Sequence, residues 1–179
     1  MQRVLVMGSS GSGKSTFARR LSDMTGIPFV SLDALFWKPG WVASDNAEFG
    51  QRVAEVARQP QWVMDGNYTG SGAGELRRHC SDTVIWFDLP RGSCMLGIMK
   101  RIAGSYGRVR PEMAEGCPEK IDFEFFRYVW TYRRQQRPKL LDYFQGLRAD
   151  QSFVCFTNRT QANDYLTEIA RKQSQASIH

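Results

Sequence analysis

Gly8, Gly13, Lys14 and Ser15 stand at the spacing G-x-x-x-x-G-K-[ST]. A loop of this kind turns successive backbone N–H groups toward phosphate oxygens, because glycines at 8, 11 and 13 allow conformations closed to other residues. Lys14 would bring its ammonium to the β and γ phosphates, and the Ser15 hydroxyl would take one position on Mg²⁺. Ser9, Ser10 and Ser12 complete the loop and Thr16 continues the helix, so residues 8–16 are read together as an ATP site. The context is the one the pattern requires: apolar Val4–Met7 precedes it and an amphipathic run comes after it. A helix beginning near Lys14 adds its positive N-terminal end to the cradle.

Three aspartates supply carboxylates for the rest of a phosphoryl transfer. Asp65 follows Trp62–Met64 and Asp88 follows Val84–Phe87, each at the end of an apolar strand where a carboxylate can hold a metal-bound water. Asp33 ends a third apolar run, Phe29–Leu32, in the crevice where open α/β sheets bind ligands. There it would accept the proton of an acceptor hydroxyl or orient that hydroxyl, the alternative being a helix cap for Ala34–Trp37. Phe36, Trp37 and Trp41 flank Lys38–Gly40 and suit either a planar acceptor or simple packing.

The elements that must hold these residues alternate. Strands are expected near Val4–Met7, Phe29–Leu32, Trp62–Met64, Thr83–Phe87 and Phe153–Phe156, short and nearly all apolar, as in a parallel sheet covered on both faces. Helices fall at about Lys14–Met24, Asn46–Gln59, Arg91–Gly104, Glu119–Gln135, Pro138–Leu147 and Gln161–Lys172. Asp45 with Glu48 has capping-box character, and Pro60 closes that helix. The result is an α/β chain forming a single domain over residues 1–179.

No apolar run reaches the roughly 18 residues a membrane span needs, and Met1 leads straight into a core strand, so a soluble cytoplasmic protein is expected. Cys80, Cys94, Cys117 and Cys155 lie far apart, with two histidines in the chain, which suggests neither a disulfide framework nor a zinc site. The net charge of +6 is regional. Between Arg91 and Lys139 there are 11 Lys or Arg against 5 Asp or Glu, while the rest of the chain balances at 13 against 13. Arg101, Arg108, Arg110, Arg127, Arg133, Arg134 and Arg137 carry much of that excess. Such a segment closes over phosphates or meets nucleic acid.

The stretches GSSGSGKST, SLDALFWKPGW, WVMDGNY, VIWFDLP and GRVRPEMAEGCPEKID, followed by RPKLL, together cover nearly the whole chain. In them the sequence resembles P-loop kinases of the adenylate-kinase-like superfamily, and most closely the bacterial topology modulation (FlaR-like) proteins. That resemblance implies a P-loop NTPase fold: three layers, α/β/α, a five-stranded parallel sheet of order 2-3-1-4-5, and a helical lid at about residues 104–137. It implies ATP and Mg²⁺ as cofactors and an acceptor site beyond strands two and three. Strand three would lie beside strand one, which favours Asp65 over Asp88 as the metal residue beside Ser15. Arg101 matches a lid-hinge arginine. Arg133 and Arg137, spaced i, i+4 on one helix face, are candidates to join it and Lys14 over the phosphates, the alternative being that this face meets water. Asp33, Trp37, Asn67 and Tyr68 would form the acceptor site.

The chain departs from the adenylate-kinase pattern in three places. Gly97 replaces an arginine that packs on adenine in those enzymes. D-G-F-P-R becomes Asp65-Gly66-Asn67-Tyr68-Thr69, and D-x-x-R becomes Asp33-Ala34-Leu35-Phe36, so both arginines that hold a nucleoside monophosphate are missing. Arg77 and Arg78, beyond the Gly70–Gly74 loop, are the candidate replacements. The leading reading is an ATP- and Mg²⁺-dependent phosphotransferase for a small acceptor such as a nucleoside, nucleotide or similar metabolite. A nucleotide-dependent DNA-binding or DNA-topology-modulating protein is the second reading; no helix-turn-helix, zinc-finger or RNA-binding motif favours it. A P-loop protein that binds nucleotide without turnover is the third.

Overall fold

The structure is a computed structural model describing residues 1–109, 113–119 and 121–176. Arg110, Glu112 and Lys120, which contribute to the basic lid in sequence, lie outside the described residues.

The chain opens with β1 (Arg3–Gly8), a loop and α1 (Lys14–Thr25), then β2 (Phe29–Ser31) and a short α2 (Leu32–Phe36). Two-residue strands β3 (Trp37–Lys38) and β4 (Val42–Ala43) form an antiparallel hairpin before α3 (Asn46–Ala57). There follow β5 (Trp62–Asp65), α4 (Gly74–Cys80), β6 (Thr83–Phe87) and α5 (Arg91–Ser105). A long connection then leads to α6 (Phe123–Gln135), α7 (Arg137–Gln145), β7 (Ser152–Phe156) and α8 (Arg159–Ala176). The main sheet has the order β2-β5-β1-β6-β7. Every pair in it is parallel, and numbering its five strands alone in chain order gives 2-3-1-4-5.

Side chains on a strand alternate between faces, and here both faces are covered. Val4, Val6, Val63, Ile85 and Phe87 point to one side, where Phe17 and Leu21 of α1, Ile98 of α5 and Leu166 of α8 close over them. Leu5, Met7, Met64, Val84 and Trp86 point to the other, against Phe49 and Val53 of α3 and Leu140 and Tyr143 of α7. The sandwich explains why the strands read as unbroken apolar runs.

The register is what builds the site. Val6 pairs with Asp65, Asp65 with Ser31, and Gly8 with Phe87, so the carboxyl ends of β2, β5, β1 and β6 arrive at one edge. Three local boundaries differ from expectation. Asp33 does not end a strand: β2 stops at Ser31, whose hydroxyl caps α2 by accepting from the Ala34 N–H at 3.2 Å, and Asp33 sits in the first helical turn. The capping duty is therefore taken by Ser31, and Asp33 is left to face the crevice. Asp45 does cap α3, accepting from the Ala47 and Glu48 N–H groups, but Glu48 turns away to Lys38 and Arg52 instead of completing the box. The expected lid is not helical throughout: residues 106–109 and 113–119 carry no helix and are tied by the bridges Tyr106–Glu119 and Val109–Pro118, and α6 begins only after the Asp122 cap.

Candidate active site

One cavity of about 1160 Å³ runs along this edge and is lined by Gly8, by Ser10 through Thr16 and by residues from α2, the β5–α4 loop, α5, the lid, α6 and α8. Ser9 alone of residues 8–16 is absent from the wall; it is buried, with its hydroxyl near the Cys94 thiol. Gly13 takes a left-handed φ of 100° where the loop enters α1, a conformation that would strain any side chain. The loop is pressed against α5: a Cβ on Gly11 would lie 2.2 Å from the Cys94 carbonyl oxygen, and one on Gly97 would lie 2.1 Å from the Gly11 carbonyl oxygen. No arginine fits at position 97.

Arg159 fills that neighbourhood instead. Its Nη2 donates to the carbonyls of Gly11 at 2.7 Å and Ser93 at 3.1 Å, and its Nε to Ser12 at 3.3 Å. A residue on the last helix thus fastens the phosphate loop to α5. Sequence reading missed it, for the only signal is a cation just past the carboxyl end of the fifth sheet strand.

Lys14 is 9 % exposed; its Nζ lies 3.3 Å from Asp65 Oδ1 and donates to Ser15 Oγ at 3.4 Å. Asp65 is 3 % exposed, and burial pushes its carboxyl above the ordinary range while Lys14 and Ser15 pull it down and Asp33 pushes it up again. A hydroxyl and a buried carboxylate side by side are hard oxygen donors of the kind that hold Mg²⁺ together with substrate phosphates. Among the described residues no group of three His, Cys, Asp or Glu gathers.

Asp88 has other partners. Arg137 grips it with two nitrogens at 2.9–3.0 Å, and Arg133 stands 3.9 Å away. Arg133 and Arg137 were expected over the phosphates; neither lines the cavity, and both are drawn across the α6–α7 junction to the one carboxylate at the end of β6.

Where α2 faces the β5–α4 loop Asp33 and Tyr68 meet, the tyrosine hydroxyl donating to Asp33 Oδ1 at 2.8 Å. Burial pushes the Tyr68 phenol far up, so it stays a donor, and Asp33 reinforces that direction. Trp37 and Trp41 pack edge to face at 5.5 Å and line the cavity with Phe36. Asn67 lines it too, but its amide is engaged: Oδ1 accepts from the Gly8 N–H at 2.9 Å, and Nδ2 donates to the Gly8 carbonyl at 3.1 Å and to the Tyr132 hydroxyl at 3.2 Å. It locks the phosphate loop to β5, and its expected contact with acceptor is not what its amide does here.

Arg77 and Arg78 are not substitute clamps. Arg77 is 0 % exposed and donates to the carbonyls of Gly72 at 2.9 Å, Asn67 at 3.0 Å and Tyr68 at 2.9 Å, and burial depresses its pKa. Arg78 donates to the Tyr143 carbonyl at 2.8 Å, pairs with Glu75 and lies over the Tyr143 ring. One arginine is the internal brace of the loop that carries Asn67 and Tyr68, and the other ties α4 to α7. Arg77→Met is therefore expected to lower unfolding free energy by about 3 kcal/mol or more, since buried carbonyls lose charged donors. Urea unfolding checks this; an unchanged midpoint would contradict the bracing role.

The connection between α5 and α6 reaches across to the β3–β4 hairpin. Arg101 donates to the buried Glu119 carboxylate at 2.9 Å and lies over Phe125, holding the far end of the lid to α5. The Gly40 N–H donates to the Gly116 carbonyl at 2.9 Å, Trp41 Nε1 to the Pro118 carbonyl at 3.2 Å, and the Cys117 thiol to the Lys38 carbonyl at 3.3 Å. Cys117 is buried under this contact. Trp41→Ala should open it, speeding alkylation of Cys117 about tenfold, the factor for a local opening made easier by about 1.4 kcal/mol. Peptide mass spectrometry reads that rate, and an unchanged rate would show that hairpin and lid do not hold each other.

No family model matches the chain. It is 34 % identical over 65 residues to an adenylate kinase of Thermotoga petrophila, covering 36 % of this chain and 29 % of that one. It is 26 % identical over 106 residues to an adenylate kinase of Thermosipho africanus, covering 59 % of this chain and 48 % of that one. The matched part thus spans less than half the length of these curated relatives. Among solved structures it is similar to a shikimate kinase from Acinetobacter baumannii in complex with shikimate, at a TM-score of 0.56 and 15 % identity over 100 % of this chain and 96 % of that one. A gluconokinase from Sinorhizobium meliloti matches at a TM-score of 0.52 and 15 % identity, over 99 % of this chain and 96 % of that one. No helix of the described residues is long and apolar enough to cross a membrane. The chain has the fold of the P-loop small-molecule kinases and, along part of its length, sequence similarity to the adenylate-kinase-like superfamily.

Proposed function

We propose that the protein transfers the γ-phosphoryl group of ATP, with Mg²⁺, to the hydroxyl of a small molecule bound between α2, the β3–β4 hairpin and the lid. One observation carries this reading: Asp33 stands in the same cavity as Lys14, while the arginines that would clamp an acceptor phosphate, Arg77 and Arg78, are spent on the fold. A phosphate acceptor arrives ionised and needs cationic clamps. A hydroxyl must lose a proton and gains from a carboxylate within reach.

In this scheme the loop N–H groups, the α1 N-terminus and Lys14 hold the β and γ phosphates. Mg²⁺ beside Ser15 and Asp65 would neutralise phosphate charge. Asp33, oriented by Tyr68, takes the acceptor proton as the acceptor oxygen bonds to phosphorus and the bond from phosphorus to the β,γ-bridging oxygen breaks, leaving ADP. Trp37 and Trp41 offer apolar walls suited to a planar acceptor, a nucleoside being the simplest such hydroxyl compound. Arg101 keeps the lid loop over the site through Glu119. Transfer of label from γ-labelled ATP to a panel of nucleosides and small polyols tests the reading. Transfer confined to nucleoside monophosphates would overturn the hydroxyl assignment.

A further inference from the structure

Helix α6 brings a phenol into the cavity that Lys14 and Asp33 line. Its Tyr132 is anchored by the Asn67 amide, which is itself fastened to Gly8, so α6 is positioned directly from the phosphate loop. One helical turn earlier is Tyr128, whose ring packs against Tyr132 at 6.0 Å and stacks on Phe125 at 6.4 Å. Tyr128 lines the same cavity as Lys14, Asp33 and Asn67; the residue is 37 % exposed, and its phenol feels the charges of Lys14 and Asp33. Those two residues mark the phosphate end and the acceptor end of the site.

Three arginines expected over the phosphates face carboxylates instead, while Arg20, Lys100, Lys139 and Arg159 line the wider cavity. Arg133 and Arg137 are on Asp88, and Arg101 is on Glu119. We propose that the Tyr128 hydroxyl is a catalytic hydrogen-bond donor to the phosphoryl group in flight, holding it between Lys14 and Asp33. Burial pushes the phenol above its ordinary pKa, with Lys14 opposing and Asp33 adding to the shift, which keeps it protonated and able to donate at neutral pH. A neutral donor also avoids placing a second cation beside Lys14, and preorganised donors at developing charge are among the strongest catalytic contributions.

The inference rests on the transfer reaction proposed above, and the test separates the two. Tyr128→Phe removes one oxygen and leaves the ring that packs on Phe125 and Tyr132. Rates are read as release of labelled γ-phosphate from Mg-ATP, both to the nucleoside panel and to water, and nucleotide binding by displacement of a fluorescent ATP analogue. Tyr128→Phe should lower kcat by roughly 10²-fold, in the range for loss of one oxyanion donor. The dissociation constant for nucleotide should stay within about threefold and the urea midpoint should not move, since the interaction exists only in the transition state. A structural role would instead move binding or the midpoint and spare kcat, and that overturns the inference. So does a wild-type kcat in Tyr128→Phe when Asp33→Asn is impaired, which leaves the phosphotransfer reading standing. Wild-type rates in Asp33→Asn, or no γ-phosphate release from the unmodified protein, would sink both.

Discussion

Replacing Lys14 by Met is expected to reduce phosphoryl transfer by roughly 10³-fold or more, because catalysis here is positioning and charge neutralisation. The side chain is nearly buried, and its ammonium faces the Asp65 carboxylate at 3.3 Å. Removing it also leaves that carboxylate in a dry place without the ammonium that offsets its burial. Burial already holds the Asp65 carboxyl above its unfolded value, so the native state binds the proton more tightly than the unfolded chain. Its contribution is favourable below the unfolded pKa and is lost as pH rises through the folded one. In Mg²⁺-free buffer, Lys14→Met should therefore widen that loss, making the variant weaker relative to the parent at pH 7 than at pH 5. Adding Asp65→Asn should restore stability at pH 7 and leave activity absent. Chemical unfolding at the two pH values, beside a transfer assay, checks both halves; a Lys14→Met protein with parental transfer would remove the loop from the chemistry.

The second large effect is expected at Asp33. Asparagine keeps an oxygen for the Tyr68 hydroxyl, whose hydrogen bond to Asp33 Oδ1 spans 2.8 Å, so the local geometry survives while basicity is lost. Asp33→Asn should lower kcat by about 10²- to 10⁴-fold, the range for a general base, with nucleotide affinity kept. Tyr68→Phe should cost less, since it frees the orientation of the carboxylate without removing it. Equal loss of ATP affinity in Asp33→Asn would place that residue in the nucleotide site.

These residues were legible in the sequence to different depths. The phosphate loop carries its own instructions: a strand, fixed glycines, a lysine and a helix start, all local. The five sheet strands were legible as apolar runs, because both faces are covered, though their order came from resemblance and not from pattern. Strands of two residues, β3 and β4, fall below any periodicity signal, and the helix α2 was foreseen only as an alternative with Asp33 as its cap, whereas Ser31 caps it.

The charged side chains were hardest to place. An arginine in sequence says nothing about whether its partner is a ligand or the fold. Arg77 is matched to backbone carbonyls five to ten residues away, which have no residue signature. Arg137 is matched to Asp88 across 49 positions, and Arg159 to the loop carbonyls across 147 and 148. The regional basic excess is thus partly consumed inside the molecule, by Asp88, by Glu119 and by the Trp130 ring under Arg91 at 3.8 Å. Tyr128 and Tyr132, four residues apart on α6, carry no site signal in the sequence; the hydrogen bond of Tyr132 with Asn67 sets the helix so that Tyr128 lines the cavity.

The linkage of the phosphoryl group in the product tests the central claim most directly. With Mg-ATP and the acceptor panel, ³¹P NMR distinguishes a phosphate monoester, formed on a hydroxyl, from a phosphoanhydride, formed on an existing phosphate. The account predicts a new monoester resonance that appears in step with ADP, is lost in Lys14→Met and falls steeply in Asp33→Asn. A new phosphoanhydride resonance with no monoester, still formed at the parental rate in Asp33→Asn, would contradict it.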